Sequence, residues 1–202
     1  MYLSLQLRMK TLEEISTSCQ IDKTAFTVSG SVASKDVHTT YGEITPTGVS
    51  TIIDKLKINS RDVFYDLGSG TGRVCLQMYL DTRAKCVGIE SVPSRHDIAM
   101  QSANKLRTNK LCFYKGNFMT RDWSDATVVY ICNTCFSDEL HERIVTKLRK
   151  TCKKLRALVC MKAIESEWLQ LVSTIPTPTS WSSSSTCAVY APLYIRPSRS
   201  VP

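Results

Sequence analysis

Asp66-Leu67-Gly68-Ser69-Gly70-Thr71-Gly72 places three glycines at alternate positions behind an acid, and Glu90 follows eighteen residues after the last of them. Glycines at this spacing let a chain leaving a strand turn tightly into a helix. They also let a ligand approach the backbone with no Cβ in the way. Asp66 stands at the carboxyl end of the first strand, where doubly wound folds bind ligands. Glu90 ends the second strand, at the spacing where an acid accepts hydrogen bonds from both hydroxyls of a ribose. A dinucleotide fingerprint needs Gly-x-Gly-x-x-Gly, with a helix N-terminus facing a pyrophosphate. Here the spacing is Gly-x-Gly-x-Gly, and a carboxylate at Asp66 repels phosphate. It suits an adenosyl compound bearing a sulfonium and an amine, which is S-adenosyl-L-methionine. Gly68, Ser69, Gly70 and Gly72 are then expected to cradle that cofactor, and the chemistry is methyl transfer. A non-catalytic structural turn is the rival reading.

The elements needed to position these residues are legible from residue 45 onward. Thr45-Pro46 marks a helix start, with Thr as N-cap and Pro at the first position. Val49, Ile52, Ile53 and Leu56 then lie on one helical face. Strands are expected at 63–67, 85–90, 111–115, 127–131 and 157–162, separated by helices at 72–80, 93–108 and 138–150. Strands alternating with helices of this length give βαβ units and a parallel, doubly wound α/β sheet. A turn-rich loop around Pro176, Pro178 and residues 182–185 precedes a last strand at 187–195. With 157–162, that strand is expected to form the antiparallel hairpin closing a class I S-adenosylmethionine-dependent methyltransferase sheet. Residues 1–40 read as an N-terminal extension, a short helix at 5–16 and then loop. The catalytic domain is 41–202, and 196–202 is a frayed tail.

At 202 residues with 43% apolar content, the chain can build one buried core. Its longest apolar runs, such as 126–132, are about one strand long, against the roughly 20 residues of a membrane helix. The opening MYLSLQLRMK has no apolar stretch of signal-peptide length, so no membrane is expected and the place is cytosol or nucleus. Nine cysteines there read as reduced thiols. Cys132-x-x-Cys135 with Cys152 and Cys160 raises a zinc site. The wider spacing of the second pair and the lack of a second His near His141 argue against it, so no metal is expected. Twenty-six basic against 18 acidic residues, a net +8, favour a polyanionic partner. The densest basic stretch holds Arg143, Lys147, Arg149, Lys150, Lys153, Lys154 and Arg156. It reads either as a solvated helix end or as a contact for DNA phosphates.

Tyr41-Gly42-Glu43, the helix after it, and Val63 to Val74 resemble the disruptor-of-telomeric-silencing (Dot1-like) histone methyltransferases. These are non-SET lysine methyltransferases acting on the globular face of histone H3 in nucleosomes. Gly88-Ile89-Glu90, Lys115-Gly116-Asn117-Phe118 with Trp123, and Tyr130-Ile131-Cys132-Asn133 with Phe136 agree in order. The resemblance runs from Tyr41 to Lys162, with a looser match around Trp181 and Tyr190. It implies a nuclear histone-lysine N-methyltransferase whose partner is the nucleosome. Tyr41, Glu43 and Thr45 then belong to the loop over the cofactor's methionine end. Asp66 and Gly68 hold the methionine, Glu90 the ribose, and Asn117 and Phe118 flank the adenine. Asn133 lies at the mouth of the lysine channel, and Phe136 and Tyr190 form its walls.

Two positions depart from that pattern: Asn117 where the family has Asp, and Arg73 where Gln is expected. Arg73 adds a positive charge beside the cofactor. The chain also lacks the large N-terminal helical region of typical members. Glu43 has a second reading, a carboxylate bonding the N-terminus of the next helix, and Asn133 has one as a loop cap. Asn133-x-x-Phe136 also resembles the Asn-Pro-Pro-Tyr-type loop of amino-methylating enzymes, so RNA, DNA or another protein stays open as acceptor, as does a non-catalytic adenosyl-binding module. Transfer to lysine is an in-line displacement on a deprotonated amine, governed by orientation, and no dedicated general base is expected.

Overall fold

The computed structural model describes residues 42–193. Expectations for Tyr41, for 1–40 and for 196–202 lie outside the described residues. Helix α1 (Pro46–Leu56) starts as its sequence requires: Thr45 Oγ1 accepts from the Gly48 N–H at 3.3 Å, and Pro46 occupies the first turn. Val49 and Ile52 are buried, and Ile53 and Leu56 pack at the edge of the same core.

Strands β1 (Val63–Leu67), β2 (Lys85–Glu90), β3 (Leu111–Lys115), β4 (Val128–Ile131) and β5 (Ala157–Cys160) alternate with helices α2 (Arg73–Thr82), α3 (Pro93–Leu106) and α4 (Asp138–Thr151). Two further strands, β6 (Leu169–Pro176) and β7 (Thr186–Pro192), complete the sheet. The spatial order is β3-β2-β1-β4-β5-β7-β6; the first five are parallel and β7 is antiparallel to both neighbours. This is the expected class I order, and the strand direction of travel reverses between β1 and β4. Open α/β sheets bind ligands at that switch point, beyond the carboxyl ends of the strands.

One sheet face packs α1, α2 and α3; the other packs α4 and the fully buried Trp123. Leu140, Ile144 and Leu148 recur at helical spacing along α4 and are all at most 2% exposed. Trp123 also donates its indole N–H to the Phe118 carbonyl at 2.8 Å, which anchors the loop after β3.

The expected antiparallel pairing of 157–162 with the last strand is present as β5 against β7, but the closing hairpin contains a strand the sequence did not show. It is formed by β6 and β7, and β7 lies between β5 and β6. Strand β6 is an edge strand whose interior faces solvent, with Leu171 and Val172 about half exposed. Exposure on both faces leaves no period-two pattern to read in the sequence. Two members of the basic stretch also leave the expected surface role. Arg156 clamps Asp62 through Nε–Oδ1 (2.7 Å) and Nη2–Oδ2 (2.8 Å), and its Nη1 reaches the Leu56 carbonyl, tying β5 to β1 and α1. Burial pushes the Asp62 carboxyl up, but bonds from Arg156, Asn59 and Thr127 more than offset this and hold it below its ordinary value. Lys147 donates to the carbonyls of Phe118, Met119 and Arg121 and lies 4.7 Å above the Trp123 ring. Its burial pulls its pKa down.

Among the described residues no helix is long and apolar enough to cross a membrane, and no group of three or more His, Cys, Asp or Glu is arranged to hold a metal. The four thiols raised as zinc ligands point to different places. Cys152 Sγ meets the Trp123 carbonyl and Cys160 is buried against β7, whereas Cys132 and Cys135 flank a cleft at the carboxyl ends of the strands.

Candidate cofactor and acceptor cleft

A cavity of about 420 Å³ opens at the carboxyl ends of β1, β2 and β4. Its floor is the glycine turn. Gly68, Gly70 and Gly72 all have positive φ (92°, 55° and 82°), which explains why this short link is glycine-rich. They serve different ends. A Cβ on Gly68 would meet nothing within 4 Å, so its bare face is open to the cleft. One on Gly72 would lie 2.5 Å from the Phe113 ring, so Gly72 lets helix α2 pack and does not line the cavity.

Glu90, at the end of β2, accepts from the Gly70 N–H (Oε2, 2.8 Å) and the Val92 N–H (Oε1, 2.8 Å). The acid is thereby held against the turn at the cavity wall. Asp66 is 2% exposed, and burial, then the Glu90 and Glu43 charges, push its carboxyl up to about 8. Ser69 Oγ is buried in the same wall and has no hydrogen-bond partner. An orphaned hydroxyl, a bare glycine face and two acids make a set suited to a cationic, hydroxyl-bearing adenosyl ligand.

Glu43 lies on the extended segment preceding α1. Its Oε1 accepts from Thr71 Oγ1 at 2.8 Å and its Oε2 meets Arg73 Nη1 at 3.3 Å. The extra positive charge of Arg73 thus has a partner on the spot. What holds the Glu43 strap is the loop after β6: Ser180 N–H donates to the Glu43 carbonyl (2.7 Å), Thr45 N–H to Pro178 (2.8 Å), and Ile44 bridges Thr179. Trp181, in the middle of that loop, lies against Gly42 so closely that a Cβ there would come within 2.3 Å of the ring. Its indole is 49% exposed and lines the cleft.

Phe118 and Phe136 form an aromatic wall, with centroids 5.9 Å apart and planes at 24°. Cys132, Thr134, Cys135 and Trp181 complete the mouth. Sequence reasoning therefore missed Trp181, Ser180 and the buried Arg95, all of which line the cavity. The only signal for the first two was the looser resemblance around Trp181, because a loop after an unrecognised strand has no placement.

Several expected site residues lie elsewhere. Asn133 is fully buried: its Nδ2 donates to the Lys162 carbonyl (2.9 Å) and contacts His141 Nε2 (2.9 Å), while its Oδ1 accepts from the Lys162 N–H (2.8 Å). Burial and then Lys162 lower the His141 pKa, favouring the neutral imidazole that can accept from Asn133. The side chain pins the β4 loop to the β5 exit; it does not line the cleft. Asn133→Ala should accordingly lower stability by about 2–3 kcal/mol, since it strands buried backbone and ring partners, and leave cofactor affinity nearly unchanged. A chemical-denaturation curve checks this. Unaltered stability with abolished turnover would restore Asn133 to the acceptor channel.

Tyr190 is also buried, at 5% exposure, with its hydroxyl accepting from the Ile164 N–H at 2.9 Å. It packs in the α4-side core because β7 is an interior strand, and it is absent from the cavity wall. Asn117 caps the short helical turn Phe118–Thr120, its Oδ1 accepting from the Met119 N–H at 2.8 Å; Phe118 reaches the cleft and Asn117 does not. Thr45 is occupied as the α1 cap and lines a smaller hollow behind Glu43.

The sequence profile described as "Histone methylation protein DOT1" matches residues 33–174. A histone-lysine N-methyltransferase, H3 lysine-79 specific, from Caenorhabditis elegans is 36% identical over 140 residues, 62% of this chain and 15% of that protein. A protein-lysine N-methyltransferase from Saccharolobus islandicus is 32% identical over 119 residues, 57% of this chain and 71% of that protein. A solved RNA methyltransferase from Salinibacter ruber, in complex with S-adenosyl-L-homocysteine, aligns with a TM-score of 0.58 at 23% identity, over 76% of this chain and 92% of that one. The last likeness is one of fold. The chain spans a small part, 15%, of the length of the worm protein it matches. The profile covers well over half of the sequence, including the glycine turn and all of the cleft lining except Ser180 and Trp181, and the chain belongs to the DOT1 histone methylation protein family.

Proposed function

We propose that this chain is an S-adenosyl-L-methionine-dependent lysine methyltransferase acting on the globular core of histone H3 in nucleosomes. The observation that carries it is the cleft itself: buried Asp66 and Glu90 on either side of a glycine turn, facing an aromatic mouth. The names borne by its relatives, H3 lysine-79 specific enzymes among them, support the acceptor. On this reading chromatin is the place of action, and so the nucleus.

The cofactor supplies an electrophilic methyl on a sulfonium. Asp66 faces the cationic methionine end, Glu90 the ribose hydroxyls, and Ser69 Oγ offers a further polar contact. Phe118 forms the apolar wall against the adenine. The acceptor lysine must shed its proton, its ordinary pKa being about 10.4. Phe136 and Trp181 at the mouth disfavour the charged amine by excluding water, and they align it for in-line attack. Arg143, Arg149, Lys150, Lys153 and Lys154 remain exposed on α4 and just beyond it, and these five form the basic surface offered to DNA phosphates.

The test supplies radiolabelled S-adenosyl-L-methionine with nucleosomes, free histones, RNA and DNA in parallel. Label on nucleosomal H3 supports the reading. Label confined to nucleic acid would sink it, and cofactor binding without any transfer would mark a non-catalytic adenosyl-binding module.

A further inference from the structure

We infer that Arg73 reads the α-carboxylate of the cofactor's methionine end, making this cleft selective for a carboxylate-bearing adenosyl sulfonium, and that Glu43 holds the guanidinium ready for it. The inference rests on the cofactor reading above and deepens it.

Three carboxylates, Glu43, Asp66 and Glu90, line one cavity. Their mutual repulsion contributes to the rise of the Asp66 carboxyl to about 8. S-adenosyl-L-methionine brings two positive centres, which these acids suit, and one carboxylate, which they repel. A cation within reach of that carboxylate would offset this repulsion. The cavity offers Arg95 and Arg73. Arg95 is 3% exposed and sits in the first turn of α3, just beyond Glu90, which places it at the ribose end. Arg73 follows the glycine turn directly as the first residue of α2, on the Asp66 and Gly68 side. The N-terminus of a helix adds to its preference for an anion.

The present pairing suits exchange. Arg73 Nη1 meets Glu43 Oε2 at 3.3 Å, a long contact, and the Arg73 side chain is 38% exposed. A guanidinium has five N–H donors in a fixed fork that fits a carboxylate in two-pronged fashion. Glu43 keeps the Thr71 hydroxyl at 2.8 Å when Arg73 turns to another carboxylate, so the exchange strands no charge without a donor. A glutamine at this position, as the family resemblance leads one to expect, would offer a neutral amide and read the carboxylate only weakly.

The experiment measures binding by titration calorimetry of S-adenosyl-L-methionine and of decarboxylated S-adenosylmethionine, which keeps both positive centres and lacks the carboxylate. Wild-type protein and Arg73→Gln are compared, with thermal melting confirming that the variant is folded. Wild type should prefer the carboxylate-bearing ligand by at least about tenfold, as expected for a charge-assisted pair. Arg73→Gln should lose about that factor for S-adenosyl-L-methionine and hold or improve its affinity for the decarboxylated ligand, because three acids then face a dication unopposed. Equal losses for both ligands, or an unchanged ratio, would overturn the assignment and leave Arg73 as a mere anchor for Glu43. If wild type binds neither ligand, the cofactor reading itself fails, and the proposal falls with it.

Discussion

Asp66→Asn should weaken S-adenosyl-L-methionine binding by about 100-fold and, at the same time, stabilise the empty protein at neutral to alkaline pH. Both effects come from one buried carboxyl. In the folded protein its pKa is raised from an ordinary 3.8 to about 8, first by burial and then by Glu90 and Glu43. A raised folded pKa means that the folded state holds the proton more tightly than the unfolded one. The stabilising contribution is therefore whole below about 4 and is lost progressively as pH climbs through about 8. Asparagine is neutral throughout, so the variant should gain on wild type across that window and differ little at pH 4. Thermal melting of both proteins from pH 4 to 9 measures the difference; a flat difference would show that Asp66 is not perturbed.

Binding has the opposite dependence. The cationic cofactor needs Asp66 ionised, so association releases a proton below about pH 8 and wild-type affinity rises toward that pH. The cofactor's own amino group loses its charge at about 7.7–8.0, so the curve turns over beyond that range. In Asp66→Asn the rising limb should vanish. Calorimetry in buffers of different ionisation enthalpy counts the released proton directly.

Gly72→Ala should cost about 3 kcal/mol or more, from left-handed backbone strain and from overpacking. The φ of 82° belongs to the region L-residues avoid. The new methyl would lie 2.5 Å from Phe113 Cζ and 2.9 Å from Ala99 Cβ, and neither the strand nor the helix bearing these can yield freely. The melting temperature should fall by roughly 6–12 °C for a domain of this size. Gly68→Ala gives the contrast. Its φ of 92° brings strain alone, since nothing lies within 4 Å of the added carbon. That variant should melt nearer to wild type and lose cofactor affinity, its methyl projecting into the ligand's space. Equal melting temperatures for the two variants would contradict this division of labour between the glycines.

The sequence on its own determined the βαβ rhythm, the strand ends at Asp66 and Glu90, and the cap at Thr45. These are local: a glycine turn, an N-cap and apolar runs of the right length declare themselves within a few residues. The aromatic positions Phe118 and Phe136 came only through the family resemblance, which carries both just after strand ends. Only the tertiary structure decided what Asn133 and Tyr190 do. A buried amide and a buried phenol are satisfied by whatever polar groups the fold brings near, here the Lys162 backbone, His141 and the Ile164 N–H. Strand β6 escaped because an edge strand exposed on both faces has no alternation. With it went the loop that carries Trp181 to Gly42 and braces Glu43 from 137 positions away. Arg73 is explained the same way: its partner Glu43 lies 30 residues back in the chain, and only the folded cleft brings the two charges together.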